Sequence, residues 1–371
     1  MKQSIFSLIL ACLMVAGAQA GSPFTEYKKE IRKDYKVNPE ALVGVTNKYG
    51  KIEVHSWDKD VASFQIIIRV TADNPGRADE IFKTISIHFS NHPNEVRAIT
   101  EIENKPKSVW SWWWSSGEKS EFAIDYVVYI PTRARLDLNN KYGDILIDQL
   151  ANTANIELKY GNLQMVGSSE DVGFILGYSK ARIGTTRAVS GEAKYSTLKF
   201  ATTRDMDWDS KYSKVEVGEA RRMNINSKYD TYVIGRVNSI NNEGKYDDFE
   251  IVEVDEVFTR TAYTDWEIRR LNKMADVEMK YGEMKIYKLA PECESIRFVG
   301  NYAHLSVTPD PWMDFRADIH SSYGNIKTPA SFTVSRDIKE GQTQQFSGYV
   351  RSPNAKMVLT ADISYGGITI R

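Results

Sequence analysis

The stretch NNKYGDILI, residues 139–147, returns 18 residues later as ELKYGNLQM, residues 157–165, and its tyrosine then recurs to the end of the chain. The first eight steps between these tyrosines are 17 or 18 residues, the next two are 21, and the last is 42. A fixed short period predicts a stacked fold in which each repeat packs on its neighbours. The repeat tyrosines are Tyr142, Tyr160, Tyr178, Tyr195, Tyr212, Tyr229, Tyr246, Tyr263, Tyr281, Tyr302, Tyr323 and Tyr365.

Two apolar columns follow the tyrosine, at the third and the fifth position after it. All third positions are apolar or aromatic, and among the fifth positions only Thr328 departs. This alternation is the period of a strand with one buried face. The residue directly after the tyrosine is small or turn-forming, which favours a sharp corner there. The sequence therefore predicts an all-β, single-chain β-solenoid (β-helix) of about twelve coils, with about 17–18 residues per coil.

Other repeat folds fit this pattern less well. A helical solenoid needs units of about 34 residues with a 3.6-residue period, and a propeller blade needs about 40 residues. A β-sandwich would not keep one residue type at a 17-residue step through a dozen units.

The start of the chain predicts a secretion signal over residues 1–20. Lys2 is its charged start, residues 5–15 its apolar stretch and residues 18–20 its small-residue cleavage site. The stretch is too short to cross a membrane. We therefore expect an exported protein without a transmembrane segment, located in the periplasm, at the outer membrane or at the cell surface. In the alternative, residues 9–12 form a weak lipoprotein box with a lipid on Cys12.

Charge and cysteine content narrow the function further. Removal of the signal removes Lys2 and no acid, so 47 basic residues face 49 acidic ones, whereas a nucleic-acid-binding protein shows a basic excess. We therefore expect no nucleic-acid partner. Cys293 is then the single cysteine, so an intramolecular disulfide is excluded and stability has to come from the stacked core. The oligomeric state stays open.

The repeat region is flanked by atypical ends, as solenoids require to protect their terminal strand edges. Residues 21–130 predict a β-rich N-terminal cap that contains a first repeat copy, VTNKYGKIEV at 45–54, and a short helix near Pro75–Thr84. Residues 131–371 predict the solenoid, with a decorated C-terminal unit, a hairpin or other excursion, between Tyr323 and Tyr365. Strands of the cap are predicted at Ser63–Thr71, Ile85–Phe89, Val96–Ile102 and Phe122–Ile130.

Two columns and one cluster are candidates for binding. The tyrosines form either a binding stripe or a core ladder, and we expect the buried ladder, because in-register aromatic rings stabilise stacked coils. The lysines that precede them then point outward, either as a cationic ladder for an anionic partner or as a solvated edge balanced by nearby acids. A tryptophan cluster predicts a contact site for a sugar or a membrane interface, or else a ring cover over the first coils. The ladder is Lys141, Lys159, Lys194, Lys211, Lys228, Lys245 and Lys280, and the cluster is Trp110, Trp112, Trp113 and Trp114.

Signals for catalysis are weak. The five histidines have no metal-ligand spacing, and neither a glycine-rich phosphate loop nor a nucleophile elbow is present in the sequence. Asp205, Asp207 and Asp209 alternate along one face and could hold calcium, but such acids more often serve solvation. We expect no catalytic residue, no metal and no cofactor.

The motifs VTNKYGKIEV (45–54), WDKD (57–60), YVVYIP (126–131) and NKYGDILI (140–147) resemble a bacterial family of unknown function labelled "putative adhesin". The resemblance covers nearly the whole mature chain and implies a β-helical fold, without catalytic residues to carry over. The leading hypothesis is a non-enzymatic, exported cell-envelope interaction or structural module with an envelope glycan or protein as partner. The alternatives are a glycan-active β-helix enzyme of the polysaccharide lyase kind and a scaffold or sensor in envelope signalling.

Overall fold

A computed structural model describes residues 24–103 and 121–371 of the chain. The chain divides into two compact units, between Lys180 and Ala181. Strands make up most of both units, and the predicted all-β solenoid is confirmed. The predicted signal, residues 1–20, lies outside the described residues.

The first unit holds a helix and eleven strands among its described residues. The helix is α1 (Pro75–Lys83). The strands are β1 (Thr25–Lys36), β2 (Leu42–Lys48), β3 (Ile52–Trp57), β4 (Val61–Ala72), β5 (Ile85–His92), β6 (Glu95–Ile102), β7 (Glu121–Pro131), β8 (Arg135–Lys141), β9 (Ile145–Leu150), β10 (Ala154–Lys159) and β11 (Asn162–Gly177).

The second unit consists of long strands followed by shorter ones. They are β12 (Lys180–Lys194), β13 (Thr197–Lys211), β14 (Lys214–Lys228), β15 (Thr231–Lys245), β16 (Asp248–Ala262), β17 (Asp265–Ile286), β18 (Ser295–Val307), β19 (Phe315–Ser322), β20 (Asn325–Lys327), β21 (Thr333–Glu340), β22 (Thr343–Val350), β23 (Met357–Ser364) and β24 (Gly367–Ile370).

Successive coils of the second unit from β13 to β18 lie in parallel register on each other. Lys214 of β14 pairs with Thr231 of β15, which pairs with Asp248 of β16, so equivalent positions of the repeat stack on each other. The sequence predicted a polar turn after the fifth position. Instead the strand continues through that point, since β13 runs to Lys211, and the next strand, β14, begins after Tyr212 and Ser213.

The predicted apolar columns form the core. Leu198, Val215 and Phe249 of the third-position column are buried, and so are their fifth-position counterparts. The column includes a buried aromatic stack in which the ring of Phe249 lies 4.8 Å from Tyr232 and 4.0 Å from Trp266, centroid to centroid. Stacked coils thus place like residues on like residues, which is why the period was readable in the sequence.

The two strands of the first repeat copy, β2 and β3, are paired on both sides. Strand β2 pairs in parallel with β8 on one side and β6 on the other, and β3 pairs with β9 and β7. Strands β4 and β1 then continue the sheet beyond β7 in antiparallel pairing. The predicted helix is confirmed as α1, where the side chain of Asn74 accepts a hydrogen bond from the backbone N–H of Arg77. The predicted cap boundary near residue 130 stays a prediction.

The C-terminal coil is inserted between two coils that precede it in the sequence. Strand β23 pairs in parallel with β18 on one side and β19 on the other, and Tyr365 stacks between Tyr302 and Tyr323 at 4.8 Å from each. The excursion predicted in the 42-residue gap is the hairpin of β21 and β22, which pairs with the far side of β19. The last coil of the chain therefore lies inside the stack, between two coils that precede it in the sequence.

Candidate functional site

The repeat tyrosines lie at the surface, so the expectation that they form a buried ladder is wrong. In the second unit 40–58% of each repeat tyrosine is exposed. Their backbone is left-handed, with φ between 53° and 63°. The sequence placed this corner at the small residue after the tyrosine. Where that residue is glycine, close packing explains it, since in the first unit a Cβ on Gly143 would overlap the carbonyl oxygen of Gly50 on the neighbouring coil.

The exposed rings form a continuous stack. In the second unit neighbouring ring centroids lie 4.7–5.1 Å apart, with ring planes within 10° of parallel. A left-handed backbone costs an L-residue about 1–2 kcal/mol, while one aromatic pair contributes about 0.5–1.5 kcal/mol. These terms nearly cancel, and Gly or Asn adopts this conformation at lower cost. Fold stability alone therefore does not explain tyrosine at these corners.

Lysine side chains line the stack on the strand that leads into each tyrosine. Lys211, Lys228 and Lys245 are exposed and stand in register, one per coil. Within the described ranges none of these three forms an ion pair, whereas Lys194 pairs with Glu192 at 2.9 Å. The ammonium of Lys228 lies 5.3 Å from the ring centroid of Tyr229, close enough for a cation–π contact. In this part of the second unit the lysines are thus exposed, and Lys211, Lys228 and Lys245 have no ion-pair partner among the described residues.

The remaining ladder lysines are less regular. In the first unit Lys141 pairs in register with Lys159, and the ammonium of Lys159 lies 2.8 Å from Glu157. In the second unit Ala262 separates Lys245 from Lys280 in the pairing. The continuous cationic stretch therefore runs over neighbouring coils of the second unit.

A shallow groove of about 630 Å³ follows this stretch. Its two outward columns carry five basic side chains and three acidic ones, with small residues between the columns. A second hollow of about 330 Å³ continues from it and shares Arg260. We name the region the lysine–tyrosine face and define it by Lys194, Lys211, Lys228, Lys245 and Arg260 with Tyr195, Tyr212, Tyr229 and Tyr246.

Buried aspartates build the corners of two adjacent coils of this face. The carboxylate of Asp230 accepts hydrogen bonds from the backbone N–H of Ser213 at 2.7 Å and the hydroxyl of Ser210 at 2.8 Å. One coil further, Asp247 accepts from the backbone N–H of Asp230 and the hydroxyl of Ser227, both at 2.9 Å. Burial raises the pKa of Asp230, and it raises the pKa of Asp247 to about 7. No sequence signal separated these aspartates from other turn residues.

Of the three alternating aspartates, Asp205, Asp207 and Asp209, the first takes part in surface ion pairs. Asp205 contacts Arg221 at 3.2 Å and Arg222 at 2.8 Å. Desolvation opposes these contacts, but the two arginines prevail and lower the pKa of Asp205. Asp209 accepts a hydrogen bond from Asn226. Over the described ranges, no three His, Cys, Asp or Glu side chains gather as a metal-binding group.

Two other expectations concern membranes and sugars. The tryptophan cluster, Trp110, Trp112, Trp113 and Trp114, lies outside the described residues, and its role stays a prediction. In the part of the chain that the structure describes, no helix has the length and apolar character needed to span a membrane.

Comparisons with known proteins return structures and no family. No family model matches the chain, and no curated protein matches it. Three similar solved structures are a "putative cell adhesion protein" from Clostridium sporogenes, a "putative adhesin" from Bacteroides fragilis and a "putative adhesin" from Parabacteroides distasonis. Their identities to this chain are 10%, 11% and 8%, with TM-scores of 0.18, 0.23 and 0.29. Each match covers 92% of this chain, and 99%, 97% and 97% of the respective structures. The adhesin label of the predicted resemblance also stands in the names of two of these structures.

Proposed function

We propose that this protein is a non-enzymatic, exported cell-envelope module that binds an acidic glycan along the lysine–tyrosine face. The observation that carries the proposal is the row of Lys211, Lys228 and Lys245. These ammonium groups stand one coil apart without an ion-pair partner among the described residues, beside half-exposed tyrosines. Like charges in such a row repel each other, and an anionic ligand relieves that repulsion.

The repeat suits a chain-like ligand. Each coil that carries Lys194, Lys211, Lys228 or Lys245 offers one ammonium and one phenol hydroxyl, and strand pairing repeats them about every 4.8 Å. An exposed ion pair contributes only about 0.2–1 kcal/mol, so useful affinity has to come from several contacts made by one ligand. The backbone ladder fixes the spacing of the strands that carry these groups before binding, so no ordering of the backbone is needed on association.

Tyrosine supports a sugar-containing ligand over a simple anion. Its ring is amphipathic, with an apolar body and a hydroxyl that donates and accepts hydrogen bonds. A uronic or sulfated sugar presents the matching chemistry, since it combines hydroxyl groups, apolar ring faces and a negative charge. The tryptophan cluster is proposed as a second contact for the same ligand.

A binding screen of the mature protein against acidic glycans, neutral glycans and anionic lipid vesicles tests the proposal. One variant changes Lys211, Lys228 and Lys245 to Gln. A charge-matched control changes three other exposed lysines to Gln, namely Lys199, Lys214 and Lys288.

A further variant replaces the tryptophan cluster, Trp110, Trp112, Trp113 and Trp114, with Ala. We expect acidic glycans to bind the wild type and the control, and to bind the first lysine variant at least tenfold more weakly. Loss of binding only in the tryptophan variant would move the site away from the lysine–tyrosine face. Equal binding by both lysine variants, or binding to lipid vesicles alone, would refute the proposal.

A further inference from the structure

The stacked tyrosines form a row of closely spaced phenol rings, and the reactivity of these rings does not depend on a glycan ligand. From Tyr195 to Tyr281 in the second unit, each phenol ring faces the next at 4.7–4.9 Å between centroids. These rings are 40–49% exposed, so a diffusing oxidant reaches them from solvent. Phenols are the side chains that one-electron oxidants convert to ring-delocalised radicals, and here each phenol has a second phenol as its nearest ring.

We propose that this tyrosine ladder is a site of oxidative modification, at which neighbouring tyrosines couple into dityrosine and join adjacent coils covalently. The oxidant is a one-electron acceptor of the peroxidase class, supplied with hydrogen peroxide. Each of two phenols gives one electron to the oxidant and its hydroxyl proton to water. The two radicals form a carbon–carbon bond between ring positions ortho to oxygen. The new bond takes the place of the ring hydrogens at those two carbons. These hydrogens leave as protons and return through water to the two oxygens, which restores both phenols. The pair has lost two electrons and two protons in total.

Backbone pairing makes coupling within one molecule faster than coupling between molecules. The strands that lead into Tyr212 and Tyr229 are paired in parallel register along their length, from Thr197 opposite Lys214 to the last residue of each strand. The two side chains are therefore held together at a high effective concentration. The new bond closes a loop of 17 residues, and such a covalent link stabilises the fold by restricting the unfolded chain.

The chain supplies an internal comparison. Tyr287 is 48% exposed, like the ladder tyrosines, but has no aromatic ring against it within the described residues. An oxidant in solution reaches it equally well. Exposure alone would therefore modify Tyr287 and Tyr229 alike, whereas ring adjacency selects Tyr229, which lies between Tyr212 and Tyr246.

The test oxidises the full chain at low micromolar concentration with a peroxidase and limiting peroxide. It measures dityrosine fluorescence and maps cross-linked peptides by mass spectrometry. Tyr229→Phe keeps a ring in the stack but removes a coupling partner, and Tyr287→Phe is the matched control. We expect monomeric products linked at ladder neighbours, loss of the Tyr212–Tyr229 and Tyr229–Tyr246 links in the first variant, and an unchanged pattern in the second.

Three results would overturn the proposal. They are links that form mainly between molecules, links to Tyr287 as often as to ladder tyrosines, and oxygenated tyrosines without coupling. None of these outcomes depends on glycan binding, so the modification site and the proposed function can each fail without the other.

Discussion

Asp247 gives the fold a pH dependence that one substitution removes. This residue is only 2% exposed, and burial raises the pKa of its carboxyl group from 3.8 to about 7. A group whose pKa is higher in the folded state stabilises the fold fully below its unfolded pKa and loses that contribution as the pH rises through the folded one. The free energy of unfolding should therefore fall between about pH 4 and pH 7.

The size of the effect follows from the shift. One pKa unit corresponds to about 1.4 kcal/mol, so the upper bound is about 4 kcal/mol. Hydrogen bonds from Ser227 and from the backbone of Asp230 favour the carboxylate and are already included in this shift, while relaxation of the fold around the ionised carboxylate reduces the effect. We expect about 1–3 kcal/mol. Asp247→Asn has nearly the same shape without the charge, so it should be about 1–3 kcal/mol more stable than wild type at pH 8 and equal to it near pH 4.5.

Urea unfolding at a series of pH values between about 4.5 and 8.5 measures this difference. The matched control is Asp248→Asn, which changes the exposed neighbour and should leave the pH profile unchanged. If Asp247→Asn loses the same stability at every pH, the hydrogen bonds of the carboxylate outweigh its burial, and the reasoning is wrong.

Three further expectations follow from packing. Gly143→Ala places a Cβ against a backbone oxygen of the neighbouring coil and should lower the free energy of unfolding by about 1–3 kcal/mol in urea titrations. The control Gly177→Ala, whose Cβ would meet its nearest atom at 3.4 Å, should leave that free energy nearly unchanged. Trp266→Ala should cost about 3–5 kcal/mol in the same assay, against less than about 0.5 kcal/mol for exposed Trp312→Ala. Ile363→Asp places a charge in the inserted C-terminal coil and should raise amide hydrogen exchange on both of its partners, β18 and β19; an increase confined to the hairpin β21–β22 would contradict the inserted arrangement.

Much of the fold could be predicted because, in a stack of coils, residues one repeat apart in the sequence lie on top of each other in space. Val215, Tyr232 and Phe249 are apolar at one repeat position, and each lies over the one before it. The order of the coils could not be predicted in the same way. The repeat copies at Tyr302, Tyr323 and Tyr365 look alike in sequence, and long-range pairing places the last of them between the other two.

The site was predicted in part. The lysines were expected to point outward on the premise that the tyrosines point inward; they are exposed although that premise is wrong. The tyrosines were wrongly placed in the core, because a large aromatic residue usually avoids a left-handed corner and no local signal reveals one. Asp230 and Asp247 were missed because a buried corner aspartate and a solvated turn aspartate look the same in one sequence.

The most direct test of the central claim is an isothermal titration of residues 21–371 with acidic oligosaccharides of increasing length, at low and at high salt. Wild type and the control variant of Lys199, Lys214 and Lys288 should bind more tightly as the ligand lengthens, and less tightly as salt screens the charges. The Gln variant of Lys211, Lys228 and Lys245 should lose most of both dependences. If all three proteins show the same length and salt dependence, the lysine–tyrosine face is not the binding surface.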